Sequence, residues 1–305
     1  MNTWTRCLNA AGIREPRQRE DYDAQRQMVS RFRRSSYVAA QMLLPRPMLP
    51  HVVAVTALMH HGDNLLDTGP KDVRAARWAA WKQQARQVLE GETSEDPLLR
   101  TLAHTIKTYP RLLRPVEEYL STAEAELHCT GFLDEADYQA YVDSYSLPAF
   151  MLIAVLLGPD GDDRPYRAAC RTFIDGSQRL DFVNDIAEDL REGRLGIPVK
   201  TLEDFSVSPE DLAAGRDTPA VRDLLHHQVN EARTALQTAK TLPPLTPAPY
   251  RALVRAIVEL ELLTAEAASA RGAGLLRGSA TPPLMSTLRL LLGARRKARR
   301  VSCPV

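Results

Sequence analysis

The chain has 305 residues, of which 44% are hydrophobic and 25% are charged, a composition typical of a soluble protein with a packed core. Its formal net charge of +1 gives no general attraction to nucleic acid, so we expect no nucleic-acid partner. The four cysteines include no CxxC pair, which is typical of a reducing cytoplasm, and we predict a cytoplasmic protein. We expect no signal peptide, and the longest apolar run, residues 149–157, is shorter than the ~18 residues of a membrane-spanning helix.

Helical periodicity runs through almost the whole chain, with proline and glycine at the breaks. We predict helices over residues 20–44, 47–67, 70–90, 96–108, 111–129, 134–157, 162–191, 217–241, 247–272 and 283–300. The short connections predict one all-α domain over residues 1–305, with flexible ends at 1–19 and 299–305. The expected architecture is a bundle of about ten helices around a central cavity.

Two aspartate motifs, about 120 residues apart, are the most informative features of the sequence. The first contains Asp63 and Asp67, and the second contains Asp181, Asp185 and Asp189. In both motifs the carboxylates recur every four residues, which places them on one face of a helix. A single motif of this kind usually marks a solvated face. Here, however, apolar residues precede or interleave the aspartates, so the carboxylates are expected to be partly buried and to need partners.

Two carboxylate clusters that face each other across a cavity repel strongly unless cations lie between them. Ligand sets made only of oxygen suit hard cations such as Mg²⁺, which usually keeps water and substrate phosphate oxygens in its coordination shell. The two motifs therefore predict a metal-bridged diphosphate site.

The same segments resemble the squalene/phytoene synthase family of isoprenoid synthases. The resemblance is carried by residues 34–45 (RSSYVAAQMLLP), by residues 61–67 (HGDNLLD) and by residues 178–198, which contain the second aspartate motif. It implies the all-α isoprenoid synthase fold and a prenyl diphosphate donor. It also implies two or three Mg²⁺ ions, bound through Asp63, Asp67, Asp185 and Asp189. Use of NADPH is not inferred.

The remaining site residues are predicted from the family's motifs. Tyr37 and Asp181 are expected to act in catalysis. Arg34 and Arg194 are expected to donate hydrogen bonds to phosphate oxygens. The predicted substrate-binding residues are Arg34, Ser36, His60, Asn64, Tyr141, Phe150, Gln178, Phe182, Asn184 and Arg194.

Several positions depart from the family pattern. Phe150 stands in place of a small glycine, Asp181 in place of asparagine, Asn184 in place of arginine and Gly196 in place of tyrosine, and His60 replaces an arginine before the first motif. Several of the family's residues at such positions bind the second prenyl diphosphate or handle the intermediate of head-to-head coupling. The metal-binding aspartates are kept. This pattern predicts that the chain still ionises a prenyl diphosphate but transfers the prenyl group to a different acceptor.

We therefore predict Mg²⁺-dependent transfer of the prenyl group to a small aromatic acceptor in secondary metabolism. The chain is similar in this respect to the squalene-synthase-like enzymes that prenylate carbazoles. Asp181 would be the base that removes the acceptor's proton, although a role as a further metal ligand, or as a carboxylate hydrogen-bonded to its neighbours, is equally open. The alternatives are head-to-head condensation of two prenyl diphosphates, of squalene or phytoene type, and cyclisation of one. Intact aspartates argue against a non-catalytic subunit.

The basic cluster at residues 295–300 (RRKARR) is expected to be a solvated helix end. Contact with a membrane is expected to be at most peripheral, through this basic C-terminus. The sequence indicates no oligomeric state.

Overall fold

The computed structural model describes residues 2–32, 34–161 and 163–301, without the side chains of residue 71 and residues 299–301. The regular structure of these residues is entirely helical. In chain order the helices are α1 Thr3–Ala10, α2 Pro16–Phe32, α3 Arg34–Leu43, α4 Leu49–Asp67, α5 Lys71–Leu89, α6 Pro97–Thr108, α7 Leu113–Thr122, α8 Ala125–His128, α9 Glu135–Tyr141, α10 Leu147–Leu157, α11 Arg164–Asn184, α12 Ile186–Arg191, α13 Val199–Asp204, α14 Pro209–Ala213, α15 Pro219–Thr238, α16 Leu242–Leu245, α17 Ala248–Arg271 and α18 Leu284–Val301. A π-helical turn, Val142–Ser146, joins α9 to α10, and 3₁₀ turns occupy Pro110–Leu112, Ala239–Thr241 and Gly272–Arg277.

The all-α prediction is confirmed, and most predicted helices correspond closely to observed ones. Helices α2 and α3 occupy the predicted segment 20–44, on either side of residue 33, which is outside the described residues. Two other predicted helices are divided: the segment 111–129 forms α7 and α8, and the segment 162–191 forms α11 and α12. The division between α11 and α12 lies at Asp185, where φ of −98° and ψ of 11° depart from helical geometry. The division turns the chain within the second aspartate motif.

The N-terminal segment differs from the prediction of a flexible end over residues 1–19. Residues Thr3–Ala10 form α1, which begins where the Asn2 side chain accepts a hydrogen bond of 2.8 Å from the Thr5 backbone amide. Trp4, Cys7 and Leu8 on this helix are buried against the core. Burial of these apolar side chains is what orders the segment. At the other end, residues 302–305 lie outside the described residues.

The centre of the bundle contains α4 and α10. Helix α4 is buried nearly all round over its first half, from Leu49 to Leu58, as expected for a helix surrounded by others. It packs against α2, α5, α6 and α10, while α11 packs along α15. The last turn of α4 carries Asp63 and Asp67, so the central helix delivers the first aspartate motif to one end of the bundle.

The continuous helical segment Glu135–Leu157 is long and apolar enough to cross a membrane, by length and composition alone. It exceeds the apolar run expected from the sequence because α9, the π-helical turn and α10 form one unbroken helix. More than half of its most apolar window is buried inside the bundle. This burial is typical of a core helix in a globular domain.

Candidate active site

A pocket of about 540 Å³ lies where the end of α4 meets the segment after α12. It is lined by Asp67, Thr68, Arg74, Glu126, Leu127, Cys129, Thr130, Glu192, Gly193 and Arg194. We call it the acidic pocket. It brings Asp67 of the first motif together with the end of the second motif.

Arg194 is the link between these segments. Its guanidinium donates to Glu126 Oε1 at 3.1 Å and to Asp189 Oδ1 at 3.0 Å. Glu126 and Asp189 are almost entirely buried, whereas Arg194 is partly exposed. A guanidinium held in this way keeps further N–H donors available for an anion.

The carboxylates around the pocket disfavour one another's charge. Burial raises the pKa of Asp67 to about 7, and the charges of Glu126 and Asp63 add to the shift, against the opposing effect of Arg194 and Arg74. The Asp67 side chain remains in contact with solvent, at the wall of a deep pocket. Burial also raises the pKa of Asp189, although its bond to Arg194 counteracts the shift. A bound cation would relieve this repulsion.

Glu126 is a pocket residue that the sequence analysis missed. It lies on α8, a helix of one turn, and its Oε2 accepts a hydrogen bond of 2.6 Å from the Tyr141 hydroxyl. No spacing in the sequence links Glu126 to either aspartate motif, so only the tertiary structure identifies it. Tyr141, predicted to bind substrate, contacts the pocket through this bond.

Asp63 lies one turn before Asp67 and is held by a tyrosine. Tyr145 donates a hydrogen bond of 2.9 Å to Asp63 Oδ1 from the π-helical turn. Tyr119 is also buried nearby, and its hydroxyl occupies the space that a side chain at Gly62 would need. Gly62 therefore permits Tyr119 to approach the backbone of the first motif.

Asp185 and Asn184 are bound to the segment that precedes α18. Ser279 donates to Asp185 Oδ1 at 2.7 Å. The Asn184 side chain exchanges two hydrogen bonds with the Ala280 backbone, at 2.8 and 3.2 Å. Asn184, which was predicted to bind substrate, here ties the second motif to the C-terminal segment.

Asp181 faces a different carboxylate. Glu261 on α17 is half-buried, and burial together with the nearby Asp181 raises its pKa to about 8, although a hydrogen bond to Ser177 opposes the shift. Asp181 itself is exposed to solvent. Glu261 is the second site residue that the sequence analysis missed. A Glu261 carboxyl group that keeps its proton can donate a hydrogen bond, and the oxygens of the neighbouring Asp181 side chain can accept one.

Several predicted substrate-binding residues lie around these clusters. His60 contacts Asn64 at 3.3 Å and stacks on Phe32, with 4.7 Å between ring centroids. Gln178 accepts a hydrogen bond of 2.9 Å from Ser146, beside the π-helical turn.

The aromatic residues Phe150 and Phe182 fill space in two different places. Phe150 packs on Phe173, 5.1 Å between centroids, at a small apolar cavity of about 30 Å³ between α10, α11 and α17. Phe182 packs on Tyr141, and its ring occupies the space beside Gly196 that a side chain there would need. The ring of Phe182 therefore accounts for glycine at position 196.

The residues of α3 that were predicted to act in the site have their own surroundings. The hydroxyl of Tyr37 is hydrogen-bonded to Arg26, near Cys7 and Asp23, and burial raises its pKa. Arg34 and Ser36 are exposed on the first turn of α3. The structure thus directs Tyr37 towards α1 and α2, and the predicted catalytic role of Tyr37 stays a prediction.

The residues of the site fit Mg²⁺ bound together with a diphosphate. Within the described ranges, no three His, Cys, Asp or Glu side chains converge to hold a metal ion by themselves. Mg²⁺ commonly takes one or two carboxylates and completes its shell with water and phosphate oxygens. The pKa of Asp67 is raised by burial first and by the charges of Glu126 and Asp63 second, and a cation would favour the ionised form against both. The assignment of Asp63, Asp67, Asp185 and Asp189 as the ligands stays a prediction.

Comparison with known proteins decides the family. A model of the squalene/phytoene synthase family matches residues 29–286, which include both aspartate motifs and nearly all the helices. The chain belongs to the squalene/phytoene synthase family. Members of this family are enzymes of the prenyltransferase type, so the resemblance found in the sequence is confirmed.

Curated relatives are distant. The chain is 24% identical over 251 residues to the bifunctional protein CrtB/UppS of Streptomyces coelicolor, a match that covers 82% of this chain and 44% of that protein. It is 22% identical over 234 residues to the 15-cis-phytoene synthase of Synechocystis, covering 72% of this chain and 68% of the relative. The chain spans about half the length of several curated relatives that it matches.

Solved structures share the fold. A dehydrosqualene synthase in complex with ligand superposes with a TM-score of 0.80 at 16% identity, covering 93% of this chain and 98% of that one. Squalene synthase HpnC from Alicyclobacillus acidocaldarius gives a TM-score of 0.74 at 22% identity, covering 88% and 99%. These structures establish the all-α isoprenoid synthase fold for this chain.

Proposed function

We propose that this family member is a Mg²⁺-dependent prenyltransferase that ionises an allylic prenyl diphosphate. The observation that carries the proposal is the position of Arg194, which joins Asp189 to Glu126 in a pocket that Asp67 also lines. Both aspartate motifs thus meet at a guanidinium whose planar donors match phosphate oxygens.

Different residues would bind the metal ions and the diphosphate during ionisation. Asp63 and Asp67 would hold the cations from α4, and Asp185 and Asp189 from the second motif. Arg194 and Arg74 would donate hydrogen bonds to the diphosphate, which develops negative charge as the allylic C–O bond breaks. Mg²⁺, when bound, supplies Lewis-acid neutralisation of that charge.

For the acceptor, we infer a second prenyl diphosphate joined in head-to-head condensation. The support is similarity: the family match spans residues 29–286, and curated relatives carry the name phytoene synthase. In this reaction the first donor loses diphosphate, and its carbon bonds to the second prenyl chain with loss of one proton. Loss of the second diphosphate and of a second proton then gives the phytoene-type product. The sequence gives no basis for NADPH use.

One observation favours a second candidate, transfer to a small aromatic acceptor of carbazole type. Glu261 and Asp181 place a carboxylic acid and a carboxylate together where the family pattern has asparagine. An aromatic acceptor would form a C–C or N–C bond to the prenyl cation and lose one proton, which Asp181 would accept. A prenyl diphosphate acceptor has no N–H or O–H group of this kind for the pair to bind.

Product analysis separates the two candidates. The purified chain is incubated with Mg²⁺ and radiolabelled C10, C15 or C20 prenyl diphosphates, with and without a carbazole. Dehydrosqualene- or phytoene-type product from the diphosphate alone supports condensation, whereas labelled carbazole supports aromatic transfer. The Asp63→Ala variant is the negative control, and Asp223→Ala, an exposed carboxylate on α15, is the matched control. Release of no diphosphate by the unchanged protein contradicts the whole proposal.

The Asp181→Asn variant then tests the acceptor residue. It keeps the shape of the side chain and removes the base. Under aromatic transfer, coupling falls while the ionised donor is diverted to prenyl alcohol. Under a metal-ligand role, ionisation and coupling fall in parallel, and more Mg²⁺ is required. Unchanged coupling assigns Asp181 no role in proton transfer and favours condensation.

We also propose that the protein acts in the cytoplasm.

A further inference from the structure

Helix α18 exposes a continuous apolar face. Leu284 and Met285 are 71% and 62% exposed, and Leu288 and Leu292 are 43% and 48% exposed. Residues 284, 288 and 292 are spaced by four and so follow one side of the helix, and Met285 lies beside them. We call these four residues the α18 face. The opposite side of α18 packs on the core through Leu290, Leu291 and Ala294.

The same helix is strongly basic. It contains Arg289 in its first half and the cluster at residues 295–300 in its last turns, and it contains no acidic residue. Arg289, Arg295, Arg296 and Lys297 are exposed, and among the described residues none of these four forms an ion pair. An apolar face that continues into exposed cations matches the interface of an anionic lipid bilayer.

We propose that α18 docks this protein on the surface of an anionic membrane, with the α18 face in the acyl boundary and the basic turns on the headgroups. A second copy is a poor occupant, because α18 contains no acidic residue and a contact between two α18 helices would offer the basic cluster no opposite charge. An acidic bilayer offers both the apolar layer and the opposite charge.

The segment that binds the second aspartate motif leads directly into the docking surface. Ser279 and Ala280, which bind Asp185 and Asn184, come a few residues before the first residue of α18. The segment between them is short, so the membrane would lie beside the part of the chain that holds Asp185. The proposal does not depend on the acceptor used in the reaction.

Vesicle flotation of the full chain tests the proposal. We expect binding to vesicles of phosphatidylcholine with phosphatidylglycerol, weak binding to phosphatidylcholine alone, and loss of binding at high salt. The double variant Leu288→Glu/Leu292→Glu should weaken binding by about tenfold or more, because it puts charge into the acyl boundary. Arg295→Gln/Arg296→Gln should weaken binding to the anionic vesicles alone.

The matched controls are Leu245→Glu, an exposed leucine on α16, and Lys240→Gln, an exposed cation of the adjoining turn. Both should bind vesicles as the unchanged protein does. All variants replace exposed side chains, and circular dichroism and thermal unfolding verify that they fold. Equal vesicle binding by the α18 variants and the controls overturns the proposal. A light-scattering mass that falls from dimer to monomer in the Leu288→Glu/Leu292→Glu variant, without vesicle binding by either protein, also overturns it and assigns the face to a second copy.

Discussion

Tyr145 donates a hydrogen bond of 2.9 Å to Asp63, and this bond exists because the helix between α9 and α10 contains a π-helical turn. The insertion of one extra residue into a helix turn rotates the side chains that follow it, and π-turns often occur at functional sites for this reason. Burial and the charge of Asp63 keep the pKa of the Tyr145 hydroxyl well above its ordinary value, so it remains a donor. Tyr145 thereby fixes the position of one oxygen of Asp63.

Removing this donor should weaken metal binding more than it weakens the fold. We expect Tyr145→Phe to raise the Mg²⁺ concentration needed for half-maximal activity by about tenfold, because Asp63 loses its orienting partner. The cost in unfolding free energy should be about 1 kcal/mol. Mg²⁺ titration of activity measures the effect. Tyr138→Phe, which removes a bond to the Asp175 carbonyl, is the control and should leave the Mg²⁺ requirement unchanged.

Removing a predicted metal carboxylate should abolish turnover and spare the fold. Asp63→Ala and Asp185→Ala are each expected to lower kcat by ~10²-fold or more, the scale of losing one major electrostatic stabiliser. The melting temperature of the metal-free protein should hold or rise, because carboxylate repulsion is relieved. Steady-state kinetics and thermal unfolding measure both effects. Activity near that of the unchanged protein in either variant would refute the diphosphate site.

Glu261 should make the protein less stable as pH rises. Its pKa is about 8 in the folded protein, against 4.5 as its ordinary value, so the folded state holds its proton where the unfolded chain has lost it. Stability should therefore fall between about pH 4.5 and pH 8. Glu261→Gln should remove this fall and stabilise the protein at pH 8 by roughly 2–4 kcal/mol. Denaturant unfolding at pH 5 and pH 8 measures it, and an identical pH slope in Glu261→Gln and the unchanged protein would contradict the assignment.

His51 should make the protein less stable as pH falls. Burial lowers its pKa to about 4, with a smaller contribution from His104, and its Nδ1 lies 3.3 Å from the Tyr22 hydroxyl. The unfolded chain therefore takes up a proton first as pH falls, and stability is lost between about pH 6.5 and pH 4, by roughly 3 kcal/mol at pH 4. Replacement by asparagine, which preserves the contact to Tyr22, should flatten this dependence. His226→Asn, at an exposed position on α15, should not.

Phe150 should limit the donor that the cavity accepts. Its ring packs on Phe173 at a cavity too small for a prenyl chain. Phe150→Ala should admit longer donors and lower the unfolding free energy by about 3 kcal/mol. Competition between C10, C15 and C20 diphosphates measures donor preference. Leu236→Ala, a change in the buried core of α15, should lower stability without altering that preference. Loss of stability with unchanged preference in Phe150→Ala would assign Phe150 to core packing.

The fold class could be predicted because it depends on periodic, local information. The apolar pattern of α4 and α17 and the prolines at their first turns are enough to define helices. The two aspartate motifs could be found for the same reason, since carboxylates four residues apart share a helix face. The missed helix α1 shows the limit: its propensity is modest, and its order comes from burying Trp4 against distant residues.

Within the site, the sequence by itself determined which carboxylates form the two motifs. It also determined the family to which the chain belongs. Only the tertiary structure decided that Glu126 joins Asp67 and that Glu261 faces Asp181. It also decided that Tyr145 holds Asp63 and that Asn184 binds a backbone segment almost a hundred residues later. The physical reason is how far apart the interacting residues are in the sequence. Helix faces follow from neighbours in sequence, whereas partners on α8 and α17 are set by packing between helices, which no local spacing encodes.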